Sequence, residues 1–222
     1  MAHCGRLQYN EVMDAYVPRY HRVYLVDDHD IVRRGLRDLL VAASDIDVVG
    51  DSGSAQEAVS EILRLDADVM LLDLPLQDGT GIEVCRAVRD VRPSVSGLLL
   101  TASGDDEALA AAVLAGAAGS LVKLSRSTDI VGAIRRLRPD VSLLDADLVL
   151  SARRLLDSII ETLSPPLTGH EREVLQQVTA GRTNSEIDDA AVDGLVARVV
   201  EVLLGPGGSP GVPSAGRHRR DV

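Results

Sequence analysis

The stretch VYLVDD, residues 23–28, decides the fold, because it joins a short apolar run directly to a pair of carboxylates. An apolar run of this length without polar alternation is typical of a strand that is covered on both faces of a sheet. Similar runs recur further along the chain, at 48–50, 69–72, 98–100 and 121–122. We therefore expect five strands in a sheet that is covered on both faces.

Segments with helical spacing of apolar residues follow each of these runs. They lie at 31–40, 54–64, 80–91, 105–115 and 127–137. Short continuous strands that alternate with helices predict an α/β fold, a doubly wound five-stranded parallel sheet with helices on both faces. In such sheets the chemistry collects at the carboxyl ends of the strands.

Polar residues stand at four of these strand ends. Asp27 and Asp28 follow the first strand and Asp73 follows the third, while Thr101 and Lys123 follow the fourth and fifth. Three carboxylates at one edge repel each other, and a divalent cation relieves that repulsion. Hard oxygen ligands favour Mg²⁺. Together with the ammonium of Lys123, Mg²⁺ would neutralise a phosphoryl group transferred to Asp73.

Four motifs, VYLVDDHDIVRRGL, LLDLPLQDG, LLLTAS and AGAAGSLVK, resemble the flavodoxin-like receiver domain of two-component response regulators over residues 21–139. The resemblance implies phosphorylation of Asp73 by a sensor histidine kinase. It implies that Asp28, Asp73 and the backbone carbonyl of Pro75 bind Mg²⁺, with Asp27 assisting. It also implies that Thr101 and Lys123 bind the phosphoryl group.

The chain departs from that family at four positions. Gln77 stands where the family has a proline, and Pro75 appears two residues earlier. Leu124 follows the lysine in place of the frequent proline. Ser120 replaces the aromatic residue that usually moves on phosphorylation, and no aromatic residue follows Tyr24. We therefore expect phosphorylation to reorganise the 102–120 surface less than is usual.

The C-terminal segment predicts a small all-α, helix-turn-helix-like domain. Two capping boxes, Thr168 with Glu171 and Thr183 with Glu186, mark helix starts on either side of Gly181. The two capping boxes alone are compatible with any helical hairpin. LTGHEREVL and AGRTNSEI, however, resemble the LuxR-type helix-turn-helix of NarL/FixJ-class response regulators over residues 167–187, which bind DNA as homodimers.

After residue 187 the helix-turn-helix resemblance ends. The remaining helix, 195–204, is apolar nearly all round, which predicts burial rather than exposure in a DNA groove. Arg182 and Arg198 are the candidate DNA contacts. The segment from Thr168 to Gly205 is nevertheless acidic, which opposes phosphate binding. The expected function is phosphorylation-controlled transcription. The alternative is a receiver with a degenerate effector that acts by protein contact or as a phosphate sink.

The predicted organisation has five parts. They are an N-terminal extension (1–20), the receiver domain (21–139), a linker helix (140–165), the incomplete helix-turn-helix-like domain (166–205) and a disordered tail (206–222). Met13 lies close enough to the first strand to serve as an alternative translation start.

Composition excludes several other classes. The chain has no apolar run near the roughly 20 residues of a membrane span and no secretory signal, which predicts a cytoplasmic protein. An aspartyl-nucleophile hydrolase would need an acid where Pro75 stands. A dinucleotide-binding oxidoreductase would need G-x-G-x-x-G after the first strand. We therefore expect a regulator and not an enzyme.

Overall fold

The computed structural model of the chain describes residues 21–102, 104–123, 129–138, 141–187 and 191–205. The predicted N-terminal extension, the predicted tail and Leu124 lie outside the described residues.

The central sheet has five parallel strands in the order β2-β1-β3-β6-β7. The strands are β1 (His21–Val26), β2 (Ile46–Ser52), β3 (Val69–Asp73), β6 (Ser96–Thr101) and β7 (Gly119–Val122). A two-residue antiparallel ladder, β4 (Pro75–Leu76) and β5 (Gly79–Thr80), follows β3. The predicted doubly wound parallel sheet is confirmed.

Four helices connect the strands of the sheet and a fifth follows the last strand, and together they cover both faces. They are α1 (Asp30–Val41), α2 (Ala55–Arg64), α3 (Gly81–Val91), α4 (Asp106–Ala115) and α5 (Ile130–Arg136). Side chains cap the starts of α2 to α5. At the start of α3, for example, Thr80 accepts a hydrogen bond from the Glu83 amide and completes a capping box. Successive side chains of a strand point to opposite faces of the sheet. Tyr24 therefore lies in one apolar cluster and Leu25 in the other.

Four further helices follow in the C-terminal part. They are α6 (Ala146–Thr162), α7 (Gly169–Thr179), α8 (Asn184–Ile187) and α9 (Val192–Leu204). Both predicted capping boxes form, and Gly181 adopts a positive φ of 87° between them. The linker helix α6 is shorter than the predicted 140–165.

The C-terminal helices do not form a core of their own. Their apolar residues join the cluster that covers one face of the receiver sheet. The inward side of α9 is buried, as predicted, at Val192, Leu195, Val196, Val199, Val200, Leu203 and Leu204. Because α9 contacts α4 of the receiver as well as α6 and α7, the two parts share one apolar cluster.

Polar contacts reinforce this junction. Arg86 of α3 is 6% exposed, and its guanidinium donates to the Asn184 side chain and to the Leu114 carbonyl. The backbone amide of Ser185 donates to the carboxylate of Asp90. The short helix α8 is thus attached to the receiver at two points. Among the described residues, no helix is long and apolar enough to cross a membrane.

Candidate functional site

The predicted site residues meet at the carboxyl edge of the sheet. Asp73 ends β3 and Thr101 ends β6, while Asp27 and Lys123 directly follow β1 and β7. Lys123 is held there by a hydrogen bond from its amide to the Thr101 carbonyl, 2.7 Å long. These residues are far apart in the sequence, and parallel pairing of neighbouring strands brings them together.

Lys123 is the central cation of the site. Its Nζ atom lies 2.6 Å from Asp27 Oδ2 and 2.6 Å from Asp73 Oδ2. Asp27 is 0% exposed and Asp73 is 2% exposed, so water screens neither carboxylate well. One ammonium group therefore offsets much of the repulsion between two buried acids.

The pKa of Asp73 is higher than that of an ordinary aspartate. Burial raises its pKa from 3.8 to about 6, with smaller contributions in the same direction from Asp27 and Asp28. The hydrogen bond and charge of Lys123 act in the opposite direction without cancelling the effect of burial. At neutral pH Asp73 is still mostly ionised, but it is poorly solvated, which suits a nucleophile or a metal ligand.

The site also fits a divalent cation. Ligand atoms of Asp27, Asp28, His29 and Asp73 all lie within 4.8 Å of one another. Asp28 Oδ1 and Asp73 Oδ2 are both buried, with His29 Nδ1 and Lys123 Nζ, respectively, 2.6 Å away. Crowded, poorly solvated carboxylates repel each other, and a bound divalent cation reduces that repulsion. Pro75, the predicted carbonyl ligand, lies in the ladder opposite Thr80.

The remaining predicted residues lie as follows. Thr101 is 4% exposed, and its hydroxyl lies 3.5 Å from the Leu121 carbonyl. Ser120 pairs with Leu99 within the sheet, so a small hydroxyl stands where the family has its aromatic ring. Thr101 lies on β6, the strand beside β3, whereas Ser120 lies on β7, one strand further from the acids.

Gly81 contributes to the site and was not predicted. Its amide donates to the Leu74 carbonyl at 3.1 Å, and a Cβ atom at Gly81 would lie 2.3 Å from the carbonyl oxygen of Asp73. Only glycine lets α3 begin this close to the end of β3. In the sequence, the glycine directly after the capping residue Thr80 could have indicated this close approach.

His29 was also missed as a site residue. Its Nδ1 atom lies 2.6 Å from Asp28 Oδ1, 3.4 Å from Asp27 Oδ1 and 4.0 Å from Asp73 Oδ2. In the sequence, the position of His29 directly after the acid pair could have indicated its place in the site.

The two predicted DNA contacts lie away from this edge and have partners in the C-terminal part. Arg198 donates to Glu171 Oε1 at 3.0 Å and to the Pro165 carbonyl. Arg182 donates to the side-chain oxygen of Gln177 at 3.2 Å. DNA binding through either arginine would have to compete with these contacts.

Comparison with known proteins agrees with this geometry. Residues 23–135 match the response regulator receiver domain, and the chain therefore belongs to that family. Over 170 residues it is 40% identical to the DNA-binding transcriptional activator DevR/DosR of Mycobacterium tuberculosis, covering 76% of this chain and 78% of that protein.

Two further similarities point to the same class. The response regulator protein VraR of Staphylococcus aureus is 31% identical over 170 residues, which cover 77% of this chain and 81% of VraR. A LuxR-family two-component response regulator from Aurantimonas sp. SI85-9A1 superposes with a TM-score of 0.54 at 29% identity, over 61% of this chain and 97% of that one. These relatives are response regulators and a transcriptional activator rather than enzymes, as expected.

Proposed function

We propose that the chain is a two-component response regulator that accepts a phosphoryl group on Asp73 from a sensor histidine kinase and controls transcription in the cytoplasm. One observation carries the proposal: Lys123 bridges the buried carboxylates of Asp27 and Asp73 at a strand edge where Asp28 adds a third carboxylate. Such a pocket combines a nucleophile, a cation and room for a metal.

The proposed reaction is a phosphoryl transfer. A carboxylate oxygen of Asp73 attacks the phosphorus atom of a phosphohistidine. The P–O bond forms as the P–N bond breaks, and the kinase imidazole leaves with the electron pair and takes up a proton. Lys123 balances the charge that arrives on Asp73, and the Thr101 hydroxyl donates to a phosphoryl oxygen. Mg²⁺ bound by Asp28, Asp73 and the Pro75 carbonyl, with Asp27 assisting, supplies further positive charge.

Intact-mass analysis with a small acyl-phosphate donor and Mg²⁺ tests the phosphoacceptor. We expect the wild-type protein to gain one phosphoryl group and the Asp73→Asn variant to gain none. Asp38→Asn, at an exposed position of α1, is the matched control and should label normally. A gain that persists in Asp73→Asn contradicts the assignment. Unchanged labelling of Asp28→Ala contradicts the metal role.

DNA binding by a homodimer is the second part of the proposal. The helix-turn-helix resemblance over 167–187 supports it, as does similarity to a protein named a DNA-binding transcriptional activator. Footprinting on genomic fragments at about 0.15 M salt, with and without the acyl phosphate, tests it. Sedimentation under the same conditions reports the expected phosphorylation-dependent dimer.

The charge of the C-terminal part favours the alternative, an effector that works by protein contact or a receiver that acts as a phosphate sink. This alternative predicts that footprinting shows no protected DNA site, either with or without the acyl phosphate. If a site is protected, Arg182→Gln and Arg198→Gln should each lower the slope of log K against log salt by roughly 1. Arg172→Gln, at an exposed position of α7, is the control for a general charge effect.

A further inference from the structure

The side chain of His29 points one ring nitrogen into the acidic pocket. Its Nδ1 atom has oxygens of Asp28, Asp27 and Asp73 at 2.6, 3.4 and 4.0 Å. The His29 backbone amide donates to Asp27 Oδ1 at 2.8 Å, which fixes the residue at the start of α1. The imidazole is therefore held beside the position that a cation shared by these carboxylates would occupy.

Imidazole nitrogen changes the metal chemistry of such a pocket. Carboxylate, carbonyl and water oxygens favour Mg²⁺, whereas a site that adds an imidazole favours divalent transition ions. Carboxylate oxygens of Asp27, Asp28 and Asp73, which lie within 4.8 Å of the imidazole nitrogen and of one another, supply the accompanying hard ligands. The His29 side chain is 66% exposed, so the ring can adjust its position without breaking a packed core.

We propose that His29 is a metal ligand, and that it makes the pocket bind divalent transition ions more tightly than Mg²⁺. The proposal rests on the metal pocket of the proposed function and specifies which ions it takes. In the structure, His29 Nδ1 lies 2.6 Å from Asp28 Oδ1. On metal binding, Nδ1 donates its lone pair to the ion in place of that contact.

Calorimetric titration of the full chain with Co²⁺, and separately with Mg²⁺, at pH 7.5 tests the proposal. We expect His29→Ala to weaken Co²⁺ binding by about 10- to 100-fold, while the Mg²⁺ dissociation constant changes by less than about twofold. The imidazole resonances that Co²⁺ shifts in the proton NMR spectrum should disappear in the same variant.

Two other histidines serve as controls for adventitious imidazole binding. His21 begins β1, at the opposite edge of the sheet, and His170 lies in α7. We expect His21→Ala and His170→Ala to keep the wild-type Co²⁺ affinity of the pocket. His29→Asn keeps a favourable residue at the start of α1, so it provides the same comparison if the alanine variant folds poorly.

Three results would overturn the proposal. The first is equal Co²⁺ affinity in wild type and both His29 variants. The second is a loss of Mg²⁺ affinity in those variants as large as the loss of Co²⁺ affinity, since that indicates a disturbed loop. The third is the same Co²⁺ loss in either control variant. Labelling of Asp73 with Mg²⁺ is measured separately, so failure of this proposal is distinguishable from failure of the phosphoacceptor assignment.

Discussion

The strand-end pocket and the C-terminal helices use their polar side chains in opposite ways. In the pocket, three carboxylates lie close to one another, and one lysine offsets the charge of two of them. In the C-terminal helices, Arg182 and Arg198 are engaged by neighbouring groups, and Asn184 receives a hydrogen bond from buried Arg86.

This difference separates a site that is ready for a ligand from a surface that is already occupied. Crowded, poorly solvated carboxylates repel each other until a divalent cation neutralises them. Satisfied polar groups have no such repulsion, so a new partner must replace existing contacts. Phosphorylation therefore needs little rearrangement, whereas DNA binding requires the C-terminal arginines to change partners.

The largest effect is expected from a cavity in the shared core. Leu195 of α9 is 3% exposed. Leu195→Ala should lower the free energy of unfolding by about 2–5 kcal/mol in one cooperative transition, because α9 and the receiver share a core. Val202→Ala on the same helix, at a residue 46% exposed, should change it by less than about 0.5 kcal/mol. Urea unfolding measures both, and a separate early transition in Leu195→Ala would show that the C-terminal helices unfold independently.

A methyl group added at Gly81 should displace the Asp73 backbone and so disturb the pocket. Because a Cβ atom there would lie 2.3 Å from the Asp73 carbonyl oxygen, Gly81→Ala should cost about 1–3 kcal/mol and slow labelling of Asp73. Gly35 in α1 has no atom within 4 Å of its Cβ position, so Gly35→Ala should stabilise by about 0.5–1 kcal/mol. Equal urea midpoints for the two variants would contradict the crowding at Gly81.

The raised pKa of Asp73 predicts a pH-dependent stability. The folded protein holds this proton up to about pH 6, above the pKa of an unfolded aspartate, so ionisation of Asp73 destabilises the fold as pH rises. In the presence of a metal chelator, Asp73→Asn should therefore be about 3 kcal/mol more stable than wild type at pH 7.5. The difference should vanish below about pH 4, where both side chains are neutral. A difference that is independent of pH would show that the charge of Asp73 is not the cause.

The smallest effect on global stability is expected at Arg86. Replacing this buried cation with methionine removes the hydrogen bond to Asn184 but also removes a desolvated charge, so Arg86→Met should change the free energy of unfolding by less than about 1 kcal/mol. Amide protection of 184–187 should nevertheless fall, because α8 loses an attachment to the receiver. Arg64→Met, at an exposed position of α2, is the control and should leave that protection unchanged. Unaltered hydrogen exchange in Arg86→Met would show that Arg86 does not hold α8.

Some details of the site could not be predicted from local pattern. Asp27, Asp28, Asp73 and Lys123 were identified because each follows an apolar strand, and strand ends are recognisable. Gly81 was missed because its importance depends on the distance to Asp73, which the helix start sets only in three dimensions.

The sequence alone determined the alternation of strands and helices, the edge of the sheet that carries the chemistry and the acidic, apolar character of 188–205. Periodicity and chain order contain that information, because strand ends of a parallel sheet share one edge. Tertiary structure decided which oxygens Lys123 contacts, that His29 faces the acids and that α8 and α9 pack on the receiver. Those outcomes depend on distances between residues that are far apart in the chain, and local spacing does not encode such distances.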